Sequence, residues 1–415
     1  MKRSTATYAS RIGTPAHTGP WSPGPFHTRE EIDALTGVLS GPALPLARGP
    51  QATRFRENIA DLYSLDADRV VLTSSGTTAV HTALAAAGVG RGDEVIVSPL
   101  TDFGSLIGIF QLQAIPVFCD VVPHGLTIDP EDMETRLTKH TKAVIAVHNG
   151  GYPADIERII TIARKRKIPV IEDACQSHLA RIGKTYVGLF GDFGVFSTND
   201  SKHMKTGEGG FVLCRRKKDA RYADLFADKS YNRDNREARW PSMPAINARM
   251  SEVNAALGVE QLKNLPSWIE HRIEMGQAAE SVLSEYPTVP HPLPKKAVSS
   301  YWWVAFSLAR PDMDISASEF AAALSAEGIP CRNQTQPYLP GWPLFRKLNR
   351  DPNAFHTYCP GGLPKGAYPI AGWPQARRES EEIMAIPINR HTTKNDISDL
   401  NHALDKVFSL SNIKP

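Results

Sequence analysis

The chain predicts an α/β architecture: a larger unit built on a mostly parallel sheet, then a smaller α+β unit towards the carboxyl end. Three observations carry this. From about residue 69, short β-branched runs alternate with helix-length segments, the pattern of βαβ units. Those runs are apolar at nearly every position, as strands are when helices cover both faces of a sheet. Past a helical stretch ending near Ser284 the texture changes again, and a new mixture opens at Trp302-Trp303-Val304-Ala305-Phe306.

Taken in order, residues 1–28 are rich in Pro, Gly, Thr and His without a sustained period, and read as an irregular arm. Helical patterns start at Arg29-Glu30-Glu31 and run from Thr53 to Tyr63. Strands are expected at Arg69–Thr73, Glu94–Val97, Ile115–Phe118, Ala143–Val147, Ile168–Ile171, Phe193–Phe196 and Gly210–Cys214. A near-continuous helix is expected from Ser251 to Ser284. A bend is expected near Pro266, because proline lacks the N–H and crowds the preceding turn. The last helix is placed at Asp396–Phe408. The resulting division is an arm (1–28), a large unit (29–265) and a small unit (266–415). Within the small unit, residues 336–378 carry eight prolines interleaved with Tyr338, Trp342, Phe345, Phe355, Tyr358, Tyr368 and Trp373. Such a segment is either a binding loop or lid, or a cover packed by its own aromatics.

A chain of 415 residues can bury a large core and divide into two domains. Its formal charge of +3 is too small to argue for nucleic acid or an anionic membrane as a partner. The two dense basic runs, Arg164–Lys167 and Arg215–Lys218, each follow an apolar segment and read as solvated ends. Cys119, Cys175, Cys214, Cys331 and Cys359 are odd in number and far apart, which fits a reducing compartment; no pair has zinc-ligand spacing, so no metal is expected. No run reaches the roughly 18 apolar residues that span a bilayer, and no signal-peptide core opens the chain. A cytoplasmic protein is expected.

In an open α/β sheet, ligands bind at the carboxyl ends of the strands. Three pieces fall there. Ser74-Ser75-Gly76-Thr77-Thr78-Ala79 follows a strand and opens an apolar helix, whose unpaired N–H groups and dipole suit a phosphate; it is equally a plain helix cap. Glu172-Asp173 follows the strand run Ile168–Ile171, where a carboxylate can keep a ring nitrogen protonated or simply cap a helix. Lys202 lies in the polar turn Asp200–Thr206, between two strands, and Ser197 stands at a strand end near it. A phosphate cradle, a strand-end acid and an embedded lysine are what pyridoxal phosphate (PLP) requires. The lysine supplies the imine, the acid the pyridinium partner, and the helix end the phosphate anchor. A free lysine, with a pKa of about 10.4, is a poor base near neutrality. Burial is expected to lower that of Lys202.

The chain resembles the DegT/DnrJ-type sugar aminotransferases, a branch of the fold type I PLP enzymes. The stretches that carry the resemblance are SSGTTAVHTAL (74–84), IPVFCDV (115–121), VHNGGYPADI (147–156), VIEDACQSHLA (170–180), FSTNDSKHMKTGEGGFV (196–212) and INARMSEVNAALGVEQL (246–262). It implies an aspartate-aminotransferase-like large domain. Lys202 would be the Schiff-base lysine, Asp173 the pyridinium partner and Gln176 a donor to the cofactor's ring oxygen. Ser197, Gly76, Thr77 and Thr78 would hold the phosphate, and Asn247 would reach the phosphate of a neighbouring subunit, so a homodimer with shared sites is implied. Gly13–Trp21 and Gly341–Phe345 look most like the branch that acts on cyclitol ketones. Two departures stand out. The family's aromatic residue after Thr, which stacks on the cofactor, is Asp102 here, with Phe103 one place on; either Phe103 takes that role through a shifted backbone, or Asp102 faces the ring and another residue covers it. The family's Asp/Asn-His-Gly is replaced by Asp228-Lys229-Ser230-Tyr231. Some relatives carry histidine in place of the lysine and are dehydratases; here His203 adjoins a retained Lys202.

The resemblance implies transfer of an amino group from L-glutamate or L-glutamine to a keto-sugar or keto-cyclitol. The alternatives are a dehydratase or aminobenzoate-type synthase on the same cofactor, and a PLP-binding sensor or scaffold without turnover.

Overall fold

Seven strands make the large sheet, and all but one run the same way. In chain order they are β1 (Val70–Thr73), β2 (Glu94–Val97), β3 (Ile115–Phe118), β4 (Thr141–Val147) and β5 (Val170–Asp173). The short strands β6 (Arg181–Ile182) and β7 (Thr185–Tyr186) of a separate ribbon follow, and then β8 (Phe193–Ser197) and β9 (Gly210–Cys214). The spatial order is β1-β9-β8-β5-β4-β2-β3, with β9 antiparallel to both its neighbours. The carboxyl ends of β1, β2, β4, β5 and β8 therefore lie along one edge. In this computed structural model the described residues are 14–22, 27–41, 44, 49–234, 240–309, 315–333, 336–354 and 366–410.

The strands are apolar because both faces are covered: β5, β8 and β9 are buried at every position. One difference from the sequence expectation matters for chemistry. The fifth strand is shifted two residues, so that Glu172 and Asp173 are its last two members and no helix follows for Asp173 to cap. Side chains alternate across a strand, which sends the two acids to opposite faces. Glu172 accepts from His148 Nε2 at 3.0 Å and from the backbone N–H groups of Gly188, Phe190 and Gly191. Its charge is thus satisfied inside the core, while Asp173 is left for the other side.

A 33-residue helix, Glu252–Ser284, runs through Pro266 and across the expected boundary near 265. It is capped by Ser251, whose side chain accepts from the Asn254 N–H, and it packs on the helices Arg29–Leu39, Pro50–Leu62 and Lys394–Leu410. Beyond it a second, wholly antiparallel sheet has the order β10 (Thr288–Pro290), β12 (Trp303–Leu308), β14 (Met384–Pro387), β13 (Arg332–Asn333). A further strand, β11 (Ala297–Val298), joins the ribbon of β6 and β7.

The Pro- and aromatic-rich segment is more regular than expected. It contains the helix Pro343–Arg350 and begins another at Pro374. Phe345, Tyr368 and Trp373 close around Phe118 of edge strand β3, with ring centroids 5.2–5.4 Å away. The Tyr368 hydroxyl and Trp373 indole N–H donate to the carbonyls of Pro116 and Phe118. The segment thus covers an exposed sheet edge, while its start at Gln336 and Pro337 reaches the ligand edge of the sheet. Phe355, Tyr358, Cys359, Pro360 and Pro364 lie outside the described residues, as do most of the amino-terminal arm and Gly13. The described part of the arm rests on the small unit: the Ala16 N–H donates to Glu327 and the Trp21 indole to the Pro387 carbonyl.

Candidate active site

A cleft of about 400 Å³ opens where the carboxyl ends of β1, β2, β4, β5 and β8 meet the start of the small unit. Its first wall is the turn after β1. Ser75 caps the helix Gly76–Ala86 in a reciprocal box: its hydroxyl accepts from the Thr78 N–H, and the Thr78 hydroxyl accepts from the Ser75 N–H. The box uses up the third N–H of the helix. Those of Gly76 and Thr77 have no protein acceptor among the described residues, as the geometry of a helix start requires. Gly76 is there for closeness, since a Cβ at this position would lie 2.6 Å from Ser197 Cβ and 3.0 Å from Cys175 Sγ.

The opposite wall is the end of β5. The Asp173 carboxylate, 5 % exposed, accepts from Ser105 Oγ at 2.7 Å and from the Cys175 N–H at 3.2 Å. Because Ser105 gives its proton to Asp173, the Thr101 hydroxyl 3.2 Å away must donate to Ser105. A Thr101–Ser105–Asp173 chain thus holds the acid in one orientation. Burial, then the neighbouring Asp173, push the Cys175 thiol far above its ordinary range and keep it neutral.

Lys202 lies in the turn joining β8 to β9. The turn is closed by backbone bonds from Thr198 to Gly209 and from Thr206 to Thr198, and by a 2.6 Å contact between the Thr198 and Thr206 hydroxyls. Gly209 adopts φ +151°, and a Cβ on it would meet Thr198 Oγ1 at 2.4 Å. The amino end of the long helix pins the turn from outside, Asn254 Nδ2 donating to the Thr206 carbonyl. The Lys202 amine is held over the face of Trp302, 4.1 Å from the ring centroid. Burial lowers its pKa below the ordinary lysine value, and Cys175, Asp102 and Asp173 oppose that shift in decreasing measure.

Gln176 Oε1 accepts from the Gly150 N–H at 2.8 Å and from Gln336 Nε2 at 3.2 Å. Gly76, Thr77, Asp173, Gln176, Ser197 and Lys202 all line this one cleft. Thr78, Phe103 and Asn247 do not. The Thr78 hydroxyl is spent in the capping box. Asp102 Oδ1 accepts the Gly104 N–H at 2.7 Å, so it is Asp102 that faces the cleft, while the Phe103 ring packs towards Phe110 and Trp342. Asn247 is exposed, on a segment that bridges to Asp228. His203 is buried and turned away from the cleft, its Nε2 on the Ser300 carbonyl at 3.2 Å. Sequence reading missed Ser105, Trp302 and Gln336. The first had a usable signal, a hydroxyl one helical turn after Thr101; the others are brought in by the distant small unit.

Pyridoxal phosphate fits this donor set. The free N–H groups of Gly76 and Thr77, with the Ser75 and Ser197 hydroxyls, make an anion cradle, and a Cβ at residue 76 would press on its Ser197 hydroxyl, 3.1 Å away. An oriented acid and a lysine amine with a lowered pKa share the same cleft.

The model of the DegT/DnrJ/EryC1/StrS aminotransferase family matches residues 25–357. The chain is 32 % identical over 334 residues to an L-glutamine:2-deoxy-scyllo-inosose aminotransferase of Streptomyces lividus, covering 76 % of this chain and 77 % of that one. Among solved structures, an aminotransferase from Psychrobacter cryohalolentis superposes with a TM-score of 0.82 at 25 % identity, over 95 % of this chain and 100 % of that one. Spr1654 of Streptococcus pneumoniae, a candidate sugar aminotransferase solved in its PLP form, superposes with a TM-score of 0.80 at 19 % identity, over 95 % and 100 % of the two chains.

Proposed function

Since this chain belongs to the DegT/DnrJ/EryC1/StrS aminotransferase family and is a PLP-dependent aminotransferase, we propose that it moves an amino group from L-glutamine or L-glutamate onto the ketone of a sugar or cyclitol. The observation that carries the reading is the convergence of Lys202, Asp173 and the Gly76–Thr77 cradle in one cleft. When bound, the cofactor supplies an electron sink for the carbon that gains or loses the amine. The chain's own groups do the rest. Gly76, Thr77, Ser75 and Ser197 would hold the phosphate. Asp173, fixed by Ser105, would keep the ring nitrogen protonated, and Gln176 would donate to the ring oxygen. Lys202 would be the covalent anchor, and its Nζ, when free, would carry a proton, a task for which a lowered pKa suits it. The Trp302 ring lies against that amine, its centroid 4.1 Å away.

A cyclitol ketone without a nucleotide is the favoured acceptor, supported by the likeness to the scyllo-inosose enzyme. We place the protein in the cytoplasm as a homodimer in which Asn247 serves the partner's cradle; its exposed position outside its own cleft, and the buried free thiols of Cys119, Cys214 and Cys331, support this. Among the described residues no helix is long and apolar enough to cross a membrane. The test is to supply the cofactor-loaded protein with glutamine or glutamate and either a cyclitol ketone or a nucleotide-linked keto-sugar. The expected result is an aminated ring with matching release of the 2-oxo acid. Loss of water from the acceptor without consumption of donor would replace transfer by dehydration.

A further inference from the structure

Three side-chain amides from separate parts of the chain meet at the cleft, and the direction of every bond between them is dictated by backbone groups. Asn149 Nδ2 faces two backbone carbonyls, Leu100 at 3.2 Å and Leu126 at 3.4 Å, so this end must be the donor and Oδ1 the acceptor. The group facing that Oδ1 at 2.7 Å is therefore the NH2 of Gln336. The same NH2 lies 3.2 Å from Gln176, whose facing atom must then be its oxygen. The Gly150 N–H, 2.8 Å from that atom, requires the same assignment independently. Amide orientations are ordinarily inferred from the surrounding bonds; here fixed backbone groups at both ends give one answer.

With Gln176 Oε1 holding two donors, the end left for the cleft is its NH2, which has no protein acceptor among the described residues. We propose that Gln336, delivered by the small unit, is a positioning residue that locks Gln176 with its donor end towards the cofactor's ring oxygen. This rests on the PLP reading above. A merely structural tie between the two units is a weaker account. The Leu100–Tyr338 bridge and the bond from the Leu339 N–H to the Pro99 carbonyl already fasten this segment. Both hydrogens of Gln336 are spent instead on side-chain oxygens at the cleft, and the residue is 4 % exposed, so water does not compete.

The consequence follows from charge. A donor on the ring oxygen draws off negative charge that otherwise holds the proton shared with the lysine nitrogen. Removing it raises the pH at which the visible absorbance of the bound cofactor changes, by about one unit. The test uses cofactor-loaded protein and the variants Gln336→Met, Gln176→Met, the double variant, and Gln336→Glu, which keeps the shape but has at most one proton to give. Gln336→Met is expected to raise the midpoint in the parent and to leave it unchanged in the Gln176→Met background. Gln336→Glu, which cannot donate to both oxygens that the backbone holds in place, is expected to raise it as well; it also serves if the Met variant fails to fold. Equal shifts in both backgrounds, or none in either, would overturn the relay while leaving the cofactor reading intact. A parent protein that binds no cofactor would overturn both.

Discussion

The Lys202 amine sits 4.1 Å from the centre of the Trp302 ring, and the Trp302 indole N–H donates to the carbonyl of Ser201, next to the lysine, at 2.8 Å. One side chain thus touches the amine and fixes the turn that carries it. A ring face stabilises the charged amine by about 0.5–1 kcal/mol, which works against the lowering by burial. Trp302→Leu is therefore expected to lower the pKa of Lys202 further. Trp302→Phe, which keeps the ring face, is expected to leave it nearly unchanged. The measurement is the pH dependence of the rate at which cofactor-free protein captures pyridoxal phosphate, since only the neutral amine attacks. A rise in the Leu variant would mean that water admitted to the site outweighs the lost ring.

Asp173 and Ser105 separate charge from orientation. Asp173→Asn removes the charge opposite the ring nitrogen and should reduce turnover by roughly 10²–10⁴-fold. Ser105→Ala keeps the acid but removes its 2.7 Å donor, and a bond to a charged group is worth enough for a loss of about tenfold. Single-turnover conversion of the cofactor by the amino donor reads both. A Ser105→Ala protein as fast as the parent would show that Thr101 and Ser105 do not set the acid's position.

Much of this site was legible because its parts are local. The β1 turn, the β8–β9 turn and the end of β5 each announce themselves by small polar residues after an apolar run, and parallel strands bring such ends to one edge. The errors were of two kinds. Asp173 is expected directly after a strand Ile168–Ile171, as a strand-end acid or a helix cap, yet the strand is Val170–Asp173. The buried partners that let Glu172 end a buried strand, His148 and three N–H groups, come from other segments. The second concerns the position over the cofactor, which the sequence leaves open between Phe103 and Asp102. A one-residue question of direction was decided by Asp102 taking the Gly104 N–H, a bond that spacing alone does not reveal. Trp302 and Gln336 belong to the small unit, and nothing periodic in their neighbourhood says where that unit docks.

Gly76 offers a test of the cradle. A methyl there would lie 2.6 Å from Ser197 Cβ, an overpacking that costs about 1–3 kcal/mol and pushes the Ser197 hydroxyl from the place where it would meet the phosphate. Gly76→Ala should raise the cofactor dissociation constant by more than tenfold, roughly the factor that such a cost implies. Gly37→Ala, at an exposed helix position with nothing within 4 Å, is the control and should leave cofactor binding untouched.

Four buried histidines make stability fall on mild acidification. Burial pushes His81, His178 and His291 down to about 4 from an ordinary 6.5, and burial with Arg272 nearby carries His203 well below it. With folded-state values below the unfolded ones, the unfolded chain binds more protons, so stability is full above pH 6.5 and is lost as pH falls towards 4. Each fully buried ring contributes on the order of a few kcal/mol over that interval. The melting temperature of cofactor-free protein should therefore drop steadily from about pH 6.5 downwards. His178 holds the Ser197 carbonyl through Nε2 at 2.8 Å. His178→Gln retains an amide donor for that carbonyl and loses the titration, so its melting temperature should start somewhat lower at neutral pH and fall less steeply in acid. Parallel curves for the two proteins would mean that His178 stays uncharged until the fold has already opened.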